Sequence, residues 1–305
     1  MLRSIADISM RGRWQSAAVI AVLSLAALIL PPFSYLASGV IALTTLRMGP
    51  KEGIKTVAAT TLVFTLLVGL MLKQIGIAGL FLVSSWLPIL GISLILGYTR
   101  SFAVSLLAAS GLGIVLVLGM NVMLDDPALW WQEAMTPFMT LLSEQPGWTL
   151  SQTETQSMLI RLSSMMTGFF AAGFSLNVML GLIIGRAWQA KLYNPGGFAT
   201  EFQQFSLGKK PALLLLFCML AALSPLGDAV SILKDCLPVM LVVFALQGLS
   251  IVHSIVKRQQ KHDFWLIAVY ILLIAALLQM VVLLAIIGVL EQWFNFRRLS
   301  NESDE

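Results

Sequence analysis

Apolar runs of about 20 residues, the length that crosses a bilayer as a helix, recur from one end of this chain to the other. Short segments holding most of the charge separate them. In hydrocarbon no water serves unpaired peptide groups, so each run must make its backbone hydrogen bonds within itself, as a helix does. The 305 residues are 58% hydrophobic and 11% charged, whereas soluble domains carry about 25% charged residues. A water-soluble domain is excluded. The expected class is all-α: residues 1–305 form a single integral membrane domain, a polytopic helical transmembrane bundle with the lipid bilayer as its main partner.

Residues 16–46 would reach about 46 Å as one helix at 1.5 Å per residue, too long for a hydrocarbon core of about 30 Å. Pro31-Pro32 interrupts them, and because proline removes donors and restrains the residue before it, two short helices are expected, 16–30 and 33–46. Further spans are expected at 56–72, 76–96, 101–124, a long one ending near Gly185, 212 to about 226, 237–256 and 264–290, which makes about nine, bracketed by eight and ten. Charge asymmetry tests the scheme. With a cytoplasmic N-terminus, 14 of the 19 basic residues fall inside, and Lys73, Arg161, Lys234, Arg297 and Arg298 fall outside. Reading 16–46 as one span inverts everything downstream and leaves 8 inside. The end of the chain fits least well, since 264–294 is long for one span and Arg297-Arg298 falls on the wrong side, yet Ala276-Leu277-Leu278-Gln279 has no turn chemistry to break it.

Residues 125–156 contain Asp125, Asp126, Glu133, Glu144 and Glu154 and no Lys or Arg, as a periplasmic loop should. Asp126-Pro127 reads as an N-cap and first helical residue of a short interfacial helix bearing Leu129, Trp130, Trp131, Met135, Phe138 and Leu141. Ser151-Gln152-Thr153-Glu154 reads as a capping box opening an unusually long sixth helix. Residues 186–210 form a cytoplasmic loop, in which Asn194-Pro195-Gly196-Gly197 stops that helix and 198–205 suit a brief amphipathic one. Residues 295–305 form a polar C-terminal tail, and Asp228, Lys234 and Asp235 read as a solvated outer turn.

Chemistry is sparse. Mid-span ionisable groups, the usual mark of a membrane enzyme, are almost missing, and no catalytic motif, phosphate-cradling loop or metal-ligand spacing occurs, so no catalytic residue, metal or cofactor is expected. No stripe of Lys/Arg interleaved with aromatics suggests nucleic acid. The binding candidates are polar groups in apolar surroundings: Trp86, Pro88, Asn121, Arg161, Asn177 and Gln247. Trp86 alone of the eight tryptophans lies mid-span, and Ser84-Ser85-Trp86-Leu87-Pro88 could line a polar cavity or simply mark a kink. Asn121, Asn177 and Gln247 can bond between helices. Asn177 also belongs to a stripe with Gly173, Gly181 and Gly185, first of all a packing seam. Arg161 can snorkel to the interface or face an anionic ligand.

Three stretches resemble the YybS-like family of predicted bacterial membrane proteins, defined by the domain of unknown function DUF2232. They are Tyr193-Asn194-Pro195-Gly196-Gly197-Phe198 with Glu201-Phe202, then 246–253 from Leu246-Gln247-Gly248 to His253, then 288–298 from Gly288 through Glu291-Gln292-Trp293 to Arg297-Arg298. More distantly, Leu46-Arg47-Met48-Gly49-Pro50-Lys51-Glu52-Gly53 and the Ala17/Ala21 pair are similar to the S components of energy-coupling-factor transporters and to the cell-shape protein MreD. The first resemblance implies a bacterial inner-membrane protein without settled activity. The second implies an S-component-like core and either of two roles: a transporter-like protein binding a small molecule, or an envelope scaffold docking a membrane-protein partner through 193–210.

Overall fold

The computed structural model describes residues 2–225, 230–262 and 264–297, and every regular element among them is helical. After amphipathic α1 (Leu2–Ser9), α2 (Arg13–Ala27) and α3 (Phe33–Met48) form the hairpin expected around Pro31-Pro32. Gly49, in the left-handed region at φ 91°, turns the chain into α4 (Pro50–Leu72), whose first residue is a proline with no donor to waste there. Arg13 pairs with Glu52 at 3.1 Å, and the Arg47 guanidinium lies 4.0 Å over the Tyr193 ring. Basic residues near the ends of α2, α3 and α4 therefore gather at one end of the bundle, the basic end.

The chain returns through α5 (Gly76–Phe81), a π-helical turn (Leu82–Trp86) and α6 (Leu87–Thr99), which follow one another as one span. In the widened turn Leu87 N–H donates to the Leu82 carbonyl, five residues back, immediately before Pro88. Ser101 caps α7 (Phe102–Met123) by accepting from Val104 N–H. At the opposite, acidic end Asp126 caps α8 (Pro127–Ser143) by accepting from Ala128 and Leu129, and α8 packs along α9. The Ser151/Glu154 capping box opens α9 (Gln152–Tyr193). At 42 residues this helix is about 63 Å long, roughly twice the hydrocarbon thickness.

α9 is the hub, packing against α3, α7, α8 and α12. Its glycines set the distance: a methyl at Gly185 would lie 2.5 Å from Ala42 Cβ and 2.8 Å from the Gly39 carbonyl, and one at Gly181 2.5 Å from Ser38 Cβ. The predicted seam is therefore real at those two positions, where α3 lies. Gly173 has open space instead. Beyond Asn194, α10 (Gly197–Gln204) and α11 (Lys209–Leu223) lead to α12 (Ser231–Arg258), α13 (Phe264–Ala275) and α14 (Leu277–Phe294).

Among the described residues six helices are long and apolar enough to cross a membrane: α4, α5 with α6, α7, α9, α12 and α14. The pair α10 and α11, bent by 53° at their break, would make seven. α2, α3 and α13 are apolar but shorter, with 15, 16 and 12 residues. Side chains such as Leu62, Leu66, Leu70 and Val122 point outward and exposed, which suits a lipid-facing surface.

One expectation is corrected. Residues 264–290 are not one continuous helix, because Ala276 leaves helical geometry at φ −137°, ψ 57° and separates α13 from α14. α14 then runs beside α12 in the same direction: Gly288 meets Gly248, and Arg297 reaches Ser250. Arg297 therefore joins the basic end instead of the acidic one. The expected outer turn is also shorter than read, since α12 begins at Ser231 and takes in Lys234 and Asp235. Asp228 lies outside the described residues, as does most of the 295–305 tail.

Candidate functional site

A cleft of about 790 Å³ opens between α9, α12 and α14, in the half of the bundle nearer the acidic end. Met165 and Phe169 of α9, Leu241 of α12, and Leu278 and Val282 of α14 supply apolar walls. Met165, Phe169, Leu278 and Val282 are exposed, so the cleft faces the lipid side of the bundle. Its polar residues collect at one end: Ser164, Ser231, Lys234 and Asp235. Gly173 lies in its wall, and with no atom within 4 Å of a built Cβ it leaves room that a larger residue would fill.

The sequence-chosen residues scatter across the bundle. Trp86 is fully buried, edge-on to Phe64 at 5.4 Å and tilted on Phe81 at 6.0 Å, and its indole N–H has no hydrogen-bond partner. It packs an aromatic cluster. Pro88 sits in the first turn of α6, just after the π turn that absorbs its bend. Asn177 Nδ2 donates to Ser34 Oγ at 2.8 Å, while Ser38 and Ser85 hydroxyls meet at 3.0 Å, so these groups tie α3, α9 and the π turn together. Arg161 is exposed on the first third of α9. Asn121 donates to the Val117 carbonyl at 2.9 Å and hydrogen-bonds Asp235, which places it behind the polar end of the cleft. None of the six lines the cleft, and Asn121 is tied to it through Asp235. Asp235, read from the sequence as part of a solvated turn, instead lines the cleft, and a carboxylate beside an apolar run was its signal.

Gln247 belongs to a second polar site at the basic end. Its amide donates to the Gly288 carbonyl at 2.6 Å and its oxygen accepts from Leu207 N–H at 2.8 Å. Arg297 donates to the Phe205 carbonyl at 2.9 Å and to Ser250 Oγ at 2.8 Å, and its Nε lies 3.6 Å from Glu291. Arg258 in turn donates to the Arg297 carbonyl. Burial pulls the Arg297 guanidinium below its ordinary range, Glu291 opposes that and Arg258 adds to it. Beside this knot lies a polar pocket of about 410 Å³.

The loop 193–210 folds back on the same end. Phe198, Phe202 and Phe205 ring Phe102, Phe202 meets His253 edge-on, and Arg186 pairs with Glu201 at 2.8 Å. Its apolar face is covered by its own bundle. Ala17 and Ala21 are likewise fully buried, so they serve packing within the chain.

A helical bundle with outward apolar surfaces, several spanning helices and polar knots at its basic end defines a polytopic membrane protein. The three stretches around Tyr193, Gln247 and Glu291 all lie at that end, where Phe202 meets His253 and Gln247 bonds Gly288. The chain belongs to the DUF2232 family of predicted membrane proteins, which matches residues 18–291. No curated protein and no solved structure matches it.

Proposed function

We propose that this protein is a non-catalytic, transporter-like membrane protein that binds an amphiphilic small molecule in the cleft between α9, α12 and α14. The observation that carries this reading is the cleft itself. Its volume of about 790 Å³ lies within the range of about 300–1,000 Å³ usual for ligand sites. Its apolar walls suit a hydrocarbon body, and Ser231, Lys234 and Asp235 suit a polar head at one end.

Threading supports it. The short helices α2, α3 and α13 cross with the longer ones, and α14 crosses separately from α13, giving ten crossings in a bacterial inner membrane, within the expected bracket. The basic end is then cytoplasmic, and only Lys73, Arg161 and Lys234 of the 19 basic residues stay outside. The cleft lies in the periplasmic half.

Gly173→Phe tests the binding reading, because the new ring enters open space. Protein purified in mild detergent is extracted and its small molecules compared by mass spectrometry. An amphiphile carried by the wild type and lost from Gly173→Phe, at equal yield and melting temperature, is the expected result. Identical extracts overturn the reading.

A further inference from the structure

The polar pocket at the basic end is a separate site. Ser206, Gly208 and Lys209 line one side, Glu291, Gln292 and Arg297 the other. Two features there ask for a ligand, independently of each other. Glu291 is only 6% exposed, yet its Oε2 has no hydrogen-bond partner, and the buried Arg297 Nε has none either, being too far from Glu291 for a good hydrogen bond. An unpaired buried carboxylate oxygen is costly and calls for a donor. Opposite it, α11 begins after Gly208 in the left-handed region with no side-chain cap, so the Lys209 and Lys210 N–H groups at the start of this 15-residue helix are left for an anion, Pro211 having none.

Charge decides the class. Lys209 and Arg297 against Glu291 leave the lining with one net positive charge, which disfavours a metal cation and matches a singly charged anion. The group that answers all three demands carries an anionic phosphate for the α11 N-terminus and Lys209, an ester oxygen for Arg297 Nε, and a hydroxyl that donates to Glu291 Oε2. We propose that this pocket binds a phosphodiester bearing a free hydroxyl arm, of which a glycerol phosphodiester is the simplest. The pocket of about 410 Å³ admits such a head group. It stands at the bundle end where the sequence turns charged, so a lipid head group and a soluble ester share the same chemistry.

The test uses the full chain in detergent and native mass spectrometry with phosphatidylglycerol and with phosphatidylcholine, whose phosphodiester carries no donor. Wild type retains phosphatidylglycerol about tenfold over phosphatidylcholine, the worth of one charge-assisted hydrogen bond. Glu291→Gln loses that preference while still retaining phosphate lipids. Lys209→Ala, at an exposed side chain that leaves the fold intact, weakens retention of both lipids. Soluble glycerophosphoglycerol, the same singly charged diester without acyl chains, then identifies the source: displacement of the lipid assigns the head group alone, and no displacement assigns the membrane lipid. Equal retention of the two lipids by wild type, a preference unmoved by Glu291→Gln, or a retention unmoved by Lys209→Ala overturns the proposal. Gly173→Phe leaves this preference untouched, which separates it from the fate of the cleft.

Discussion

Gly248 of α12 and Gly288 of α14 bring their helices into backbone contact. A methyl on Gly288 would collide with the Phe244 carbonyl, one on Gly248 with the Leu284 carbonyl, and Gln247 closes the crossing by donating to Gly288 at 2.6 Å. Backbone cannot yield as a flexible side chain can. Gly248→Val should therefore force the helices apart and lower stability by about 1–3 kcal/mol. Gly173→Ala, placed in open space, should change it by less than about 1 kcal/mol. Thermal unfolding followed by size-exclusion fluorescence separates the two.

Arg297 and Glu291 form an ion pair with side chains 12% and 7% exposed. Removing one partner strands the other in a desolvated site, at a cost of about 3–5 kcal/mol. Arg297→Gln should thus destabilise strongly, and adding Glu291→Gln should recover much of the loss. A double-mutant cycle on unfolding midpoints checks this. Additive losses would show that the pair does not act as a unit.

Trp86 carries a buried indole N–H without an acceptor between Phe64 and Phe81. Trp86→Phe keeps a ring in the cluster and removes an unsatisfied donor, so stability should fall by no more than about 1.5 kcal/mol. Trp86→Ala empties the space and should cost about 3–5 kcal/mol. Both variants should keep the cleft ligand, since Trp86 lies outside the cleft walls. Loss of that ligand in Trp86→Phe would return this residue to a binding role.

The helices with punctuation were legible: Pro31-Pro32, Asp126-Pro127, the Ser151/Glu154 box and Asn194 to Gly197 all act where the sequence placed them. The break at Ala276 was not, because an alanine pair between Ile274 and Leu277 carries no local signal. It follows from packing, as Gly248 and Gly288 draw α14 against α12 in a direction that a continued α13 could not take. The cleft was hidden for the same reason. Its walls come from residues 164–176, 231–242 and 277–282, which no spacing rule connects. Gln247 was legible as polar, and its partners 40 and 41 residues away were not.

Threading gives the sharpest test of that break. Asn295 ends α14 at φ 48° beside Arg297, which bonds the Phe205 carbonyl at the basic end, so position 295 shares a side with Lys51. Were α13 and α14 one crossing, position 295 would share a side with Glu133. After both native cysteines are replaced, single cysteines at 51, 133 and 295 are treated in intact cells with a membrane-impermeant maleimide. Labelling is expected at 133 only, and at 51 and 295 once the membrane is opened. Labelling of 295 together with 133 would restore the single span and place Arg297 outside. The knot around Glu291 could then not form, because its partners Phe205 and Ser250 lie at the other end of the bundle.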